Sequence, residues 1–204
     1  MTSRISFPSP EAMSEAQLAV FKDIVSGPRG MLVGPLKAAL HNPVLADRWQ
    51  KFGQVLRYET SLPFALNEIA ILATARHWSC LLEFAIHRRE ARRAGVAETL
   101  IEALRCGERP AFGGDPAAAE IYEYTRQLLT SGDVSDAAHL AVRQRWGETG
   151  VVELTAVVGY YSLVAMTLNA HRVPLPEGLE CELPNVEGGI FYLPALHDAV
   201  PFPV

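Results

Sequence analysis

The chain has 204 residues, 49% hydrophobic and 20% charged, so it can bury a core and is long enough for one large domain or two small ones. Eighteen Lys and Arg against 23 Asp and Glu leave a net charge of −5, which excludes the basic footprint of a nucleic-acid or anionic-membrane binder. Three cysteines, Cys80, Cys106 and Cys181, are too few and too scattered for a disulfide scaffold or a Cys-rich zinc module. One of them must stay unpaired within the chain, which points to a reducing cytoplasm.

The N-terminal stretch has no apolar run followed by small residues, so no secretory signal is expected. Ser14 followed by Gln17 is a capping-box pair that opens a helix ending near Gly27. Pro35 begins an apolar-periodic stretch, interrupted at Asn42-Pro43, that resumes to about Tyr58. From Pro63 a strongly apolar helix runs to about Arg76, and Ser79 is placed to cap the next one, Cys80 to Ala94, which stops at Gly95. A short helix follows from Glu98 to Leu104, then a loop from Gly107 to Gly114. Asp115 with Pro116 behind it reads as an N-cap and first helical position, in a helix ending at Gly132. Ser135 to Trp146 and Val151 to Ala170 supply the last two helices. The apolar stretch Leu154 to Leu168 is shorter than the roughly 20 residues of a membrane span and reads as a buried helix.

Beyond Val173 the pattern changes. Six of the chain's 14 prolines fall in 173–204, with Gly188-Gly189 and no helical period. The expected organisation is a helical domain over 1–172 and an extended tail over 173–204. The tail's Ile190, Phe191, Tyr192 and Leu193 suit it to wrap its own core or, as the preferred reading, a neighbouring subunit.

The residues with usable chemistry are Glu68, Cys80, Glu83 and His87. The last three are spaced by three and four, which sets them on one stripe of a helix. Glu83 and His87 form an i,i+4 pair in which the carboxylate can fix the imidazole tautomer and strengthen it as a base. With Ser79 as the cap, Cys80 would take the first helical position, where the helix dipole favours a thiolate. Glu68 stands among Phe64, Ala65, Leu66, Ile69 and Ala70, where a carboxylate needs a partner. Arg76 and Trp78 crowd the same turn and are the expected substrate contacts. The bland alternatives are a solvated Glu–His pair and a cysteine serving as a small core residue. One histidine with two glutamates is a poor match to a metal bundle, so no metal is expected.

Glu68, Cys80 twelve positions on, then Glu83 and His87 ahead of Ala94-Gly95-Val96, resemble the carboxymuconolactone decarboxylase family. Its superfamily also holds the alkylhydroperoxidase-D-like proteins. The resemblance covers about residues 30 to 173. It implies an all-α, orthogonal helical bundle that assembles as a homotrimer or homohexamer, with its active site near the motif helix and no cofactor. Peroxidase members carry Cys-x-x-Cys with a histidine four positions after the second cysteine. Cys80 falls on the first cysteine, Glu68 on a relay glutamate and His87 on the histidine, while Glu83 occupies the second cysteine's place. A disulfide cycle needs a resolving thiol. The resemblance therefore implies decarboxylase-type chemistry on a small organic acid or lactone, with His87 as acid–base, Glu83 orienting it and Glu68 shuttling protons. The alternatives are a thiol peroxidase using Cys80 with an external thiol, and a non-catalytic ligand-binding oligomer.

Overall fold

The computed structural model describes residues 2–184 and 189–196. Part of the expected tail, including Gly188 and 197–204, lies outside the described residues. Those described contain eight α-helices and no strand. They are α1 (Glu15–Ser26), α2 (Pro35–Ala39), α3 (Pro43–Tyr58), α4 (Phe64–His77), α5 (Leu81–Arg93), α6 (Glu98–Cys106), α7 (Pro116–Ser131) and α8 (Asp136–His171).

The helix ends follow local chemistry. Ser14 Oγ accepts from the Gln17 amide at 3.3 Å and Gln17 Oε1 accepts from the Ser14 amide at 2.9 Å, so the capping box is complete. Asn42 and Asp115 cap α3 and α7 by accepting from Leu45, and from Ala117 and Ala118. Gly95 adopts φ +83 and lets Val96 donate back to Ala91, closing α5. The last element, α8, consists of two helical runs that meet at a sharp break, as the sequence predicts. Gly147, at φ 68 and ψ −172, is its only non-helical residue.

α4 is the axis of the molecule. It packs against α5, α7 and α8, and more lightly against α3 and α6. Every residue from Leu66 to His77 is buried. A helix enclosed on all sides gains about 1.5–3 kcal/mol from each large aliphatic such as Ile69, Ile71 or Leu72. It must also satisfy its polar side chains internally. Thr74 donates to the Ala70 carbonyl at 2.8 Å, Asn67 donates to Thr60 at 2.6 Å, and Glu68 and Arg76 reach across to other elements.

The described tail segments lie on this chain's own helices. Arg105 donates to the Glu182 carbonyl at 3.0 Å, Arg76 to the Pro184 carbonyl at 2.8 Å, and Tyr122 Oη to the Pro194 carbonyl at 2.7 Å. The Phe191 amide donates to the His77 carbonyl at 2.7 Å. The Phe191 ring covers the Arg76 guanidinium at 3.7 Å from the ring centre. Gly107 makes room for that ring, since a Cβ there would stand 2.3 Å from it.

Candidate active site

Three residues join α4 to α5, and their conformation sets the site. Trp78 ends α4 and Ser79 adopts φ +49. Ser79 donates to the Arg76 carbonyl at 3.0 Å, and Cys80 to the Ala75 carbonyl at 2.8 Å. This is the helix-ending motif in which a left-handed residue, usually glycine, lets its own amide and the next one satisfy orphan carbonyls. Ser79 is spent on closing α4, so it does not cap α5. Cys80 is the N-cap instead, with φ −87 and ψ 96. The expected first-turn thiolate is corrected on this point. The Cys80 thiol is 1% exposed, and burial, with Glu83 nearby, pushes it well above the ordinary thiol range. The amides of Leu82 and Glu83 work the other way without reversing that balance.

The tight connection folds α5 back along α4 and brings Glu68, Glu83 and His87 together, all buried. The partner of His87 is not the expected Glu83. His87 Nδ1 lies 2.8 Å from Glu68 Oε2, across the helix pair. The Nδ1–H tautomer makes this contact a donated hydrogen bond and leaves Nε2 as the nitrogen open to a ligand. Among the described residues, neither carboxyl oxygen of Glu83 has a hydrogen-bond partner. Burial first, and the Glu68 charge second, hold its carboxyl well above the usual carboxylate range. The site thus sets an acid bonded to an imidazole beside a second carboxyl that holds its proton more tightly than usual. Two acids in such different surroundings suit proton transfer.

His87 and Glu83 line a cavity of about 50 Å³ beneath the loop that joins α1 to α2. Space of that size admits a few waters or a small ligand. Tyr161 from α8 meets the His87 ring edge-on at 4.9 Å, and Tyr160 packs edge-on against Tyr161 at 5.2 Å. Burial raises both phenols, Tyr161 the more strongly, so they remain neutral. Two cations that the sequence reading missed also line the cavity, Arg29 from the loop after α1 and Arg57 from the last turn of α3. Burial works against the Arg57 charge, but Tyr161, Tyr58, Glu68 and Glu90 outweigh it and fix the cation more firmly. The available signal was Gly53 in the middle of α3. A Cβ there would fall 1.9 Å from Tyr160 Oη and 2.6 Å from Arg29 Nη2, so only glycine leaves both in place.

The other expected site residues stand elsewhere. Arg76 is fully buried, held by the tail's Pro184 carbonyl and the Phe191 ring, and burial lowers its affinity for the proton. It does not line the cavity, because the C-terminal end of α4 points it toward the tail. Trp78 donates from Nε1 to Ser162 Oγ at 2.9 Å and likewise faces away. Cys80 lines a separate groove of about 670 Å³ with Ser79, Leu168, Asn169 and Arg172. Among the described residues no group of three His, Cys, Asp or Glu side chains is arranged so that it could hold a metal ion.

No family model matches the chain, and no curated protein matches it. Solved structures do. A peroxidase-related protein of Silicibacter sp. TM1040 superposes with a TM-score of 0.72 at 14% identity, covering 87% of this chain and 93% of its own. A peroxidase-related protein of Ralstonia eutropha JMP134, described as an alkylhydroperoxidase AhpD core, gives 0.71 at 14% identity, over 87% and 94%. The debrominase Bmp8, as a cysteine-to-alanine variant in complex with 2,3,4-tribromopyrrole, gives 0.68 at 13% identity, over 86% and 95%. The chain has the all-α fold of the alkylhydroperoxidase-D-like proteins. The proteins that share this fold include a debrominase and peroxidase-related proteins.

Proposed function

We propose that the chain is a cofactor-independent enzyme of the carboxymuconolactone decarboxylase type, acting on a small organic acid or lactone. One observation carries this reading. The His87–Glu68 hydrogen bond lies at the wall of a small, partly open cavity whose other acid, Glu83, holds its proton more tightly than an ordinary carboxyl. In decarboxylation the C–C bond to the carboxylate breaks, CO₂ leaves, and the electron pair stays on the substrate as an enolate. With Nδ1–H donated to Glu68, Nε2 takes a proton from the Glu83 carboxyl and delivers it to the carbon, and Glu83 recovers its own proton from solvent. The chain works in the cytoplasm as a homotrimer or homohexamer. Exposed Leu45, Phe52 and Val55 on α3, and Val152, Leu163 and Met166 on α8, support assembly.

The test is CO₂ release across a panel of small carboxylic acids and carboxylated lactones. His87→Gln lowers turnover by about 10²–10⁴-fold with helical content unchanged. Unaltered turnover in that variant, or a panel in which nothing reacts, refutes the reading. A second reading, thiol peroxidase, draws on Cys80 lining its own groove. The burial that raises its thiol argues against it.

A further inference from the structure

The acid–base residues leave two cations in their cavity without a task. Arg29 and Arg57 enter from different elements, the loop after α1 and the end of α3, and converge on the space that His87 faces. Among the described residues, Arg29 Nε and Nη2 and Arg57 Nε are sealed from solvent and meet no acceptor at hydrogen-bonding geometry, although the Tyr160 hydroxyl stands close to Arg29. The ion pairs of the described residues include neither guanidinium. An arginine cannot shed its proton to relieve such burial, and a buried donor without an acceptor is costly. Glu68 and Glu90 favour the Arg57 charge from a distance, but no acid among the described residues accepts a hydrogen bond from either guanidinium: Glu68 Oε2 is held by His87, and Glu68 Oε1 and both Glu83 oxygens bond to nothing described.

The route Arg29 takes into the cavity is built rather than incidental. Gly53 sits in the interior of α3, where glycine weakens a helix, and any side chain there would collide with Arg29 Nη2 and Tyr160 Oη. Gly30 and Gly34, at φ +67 and +56, turn the loop over the cavity and set Arg29 beneath it. The remaining wall, with Ile86, Val164 and Leu168, is apolar.

We infer that Arg29 and Arg57 are a carboxylate clamp, each donating to one side of the –COO⁻ of a short aliphatic acid whose adjoining carbons lie against Ile86 and Val164, within reach of His87 Nε2. The planar fork of arginine matches a carboxylate, and two forks from separate elements fix its orientation. The cavity holds the carboxylate and its adjoining carbons, and the rest of a larger acid or lactone would extend through its open side. This inference rests on the reading of the cavity as the reaction site, and it names the two residues that choose the substrate.

The test titrates acetate and propionate into the full chain by calorimetry, with acetamide, propionamide and inorganic phosphate alongside. The acids bind to a single site. The amides and phosphate bind at least about tenfold more weakly, and Arg29→Gln and Arg57→Gln each weaken acid binding by about 10- to 100-fold. Circular dichroism confirms that the variants fold, and Gly53→Ala, which displaces Arg29 without removing it, weakens binding in the same direction. Amides or phosphate binding as well as acids, arginine variants binding like wild type, or no acid binding at all, each overturns the clamp. His87→Gln separates the two claims. If it abolishes turnover while arginine variants bind acids normally, the clamp falls and the acid–base reading stands. If it turns over normally while acid binding still depends on the arginines, the reverse holds.

Discussion

Replacing Glu83 by Gln isolates the neutral carboxyl. The side chain keeps its shape and loses its titration. In the unfolded chain the carboxyl has a pKa near 4.5, and in the fold burial and the Glu68 charge raise it well above that. A raised folded value means that the native state holds a proton the unfolded state has released. The stabilisation is therefore complete below the unfolded value, and it declines as pH climbs toward the folded one. Linkage sets the slope at about 1.4 kcal/mol per pH unit within that window. Glu83→Gln carries no such slope, and the cost of burying its amide is a constant offset. Urea unfolding of both proteins in steps from about pH 5 upward gives the difference curve. Wild type loses about 1.4 kcal/mol per unit relative to the variant until the folded carboxyl titrates, after which the curve levels. An ionised Glu83 with a lowered folded value would gain its stability below the unfolded value and leave the difference flat from pH 5 upward. A flat or rising difference therefore refutes the neutral carboxyl.

Three other substitutions probe separate parts of the structure. Gly53→Ala gains helix propensity but drives a methyl into Tyr160 and Arg29, for a net loss of about 1 kcal/mol in thermal or urea unfolding. A variant as stable as wild type would deny the close approach. Phe191→Ala uncovers Arg76 and opens a gap above Gly107, costing about 2 kcal/mol for a half-buried ring. An unchanged denaturation midpoint would mean that the tail adds nothing to the core. Cys80 reacts slowly with iodoacetamide at neutral pH, as its burial requires, and Cys80→Ser leaves CO₂ release intact. Hydroperoxide consumption that disappears in Cys80→Ser would transfer the function to the thiol.

The helices were legible because their ends are written in local chemistry, such as Ser14 with Gln17, Asp115 with Pro116, and Gly95. Errors arise where one residue can serve two elements. Ser79 has the chemistry of an N-cap, yet a three-residue connector must close α4 before it opens α5, and Ser79 is used for the closing. The cluster of Glu68, Glu83 and His87 was legible from spacing, but their pairing was not. An i,i+4 spacing permits Glu83 to reach His87, whereas the facing helix delivers Glu68 to Nδ1 at 2.8 Å. Arg29 and Arg57 were invisible to motif reasoning because they arrive from elements remote in sequence. Arg76 was misplaced because adjacency to the motif says nothing about which end of α4 a side chain serves.

Glu68 and Arg76 lie eight positions apart on α4, about 12 Å along its axis. The first holds the imidazole and the second holds the tail. A rod enclosed on every side can neither roll nor slide by a fraction of a turn without disturbing both attachments together. The seating of the last described residues thus acts as the datum from which the distance between Glu68 and His87 is gauged. Loosening the tail at Pro184 and Phe191 therefore removes a constraint on the same helix that carries Glu68.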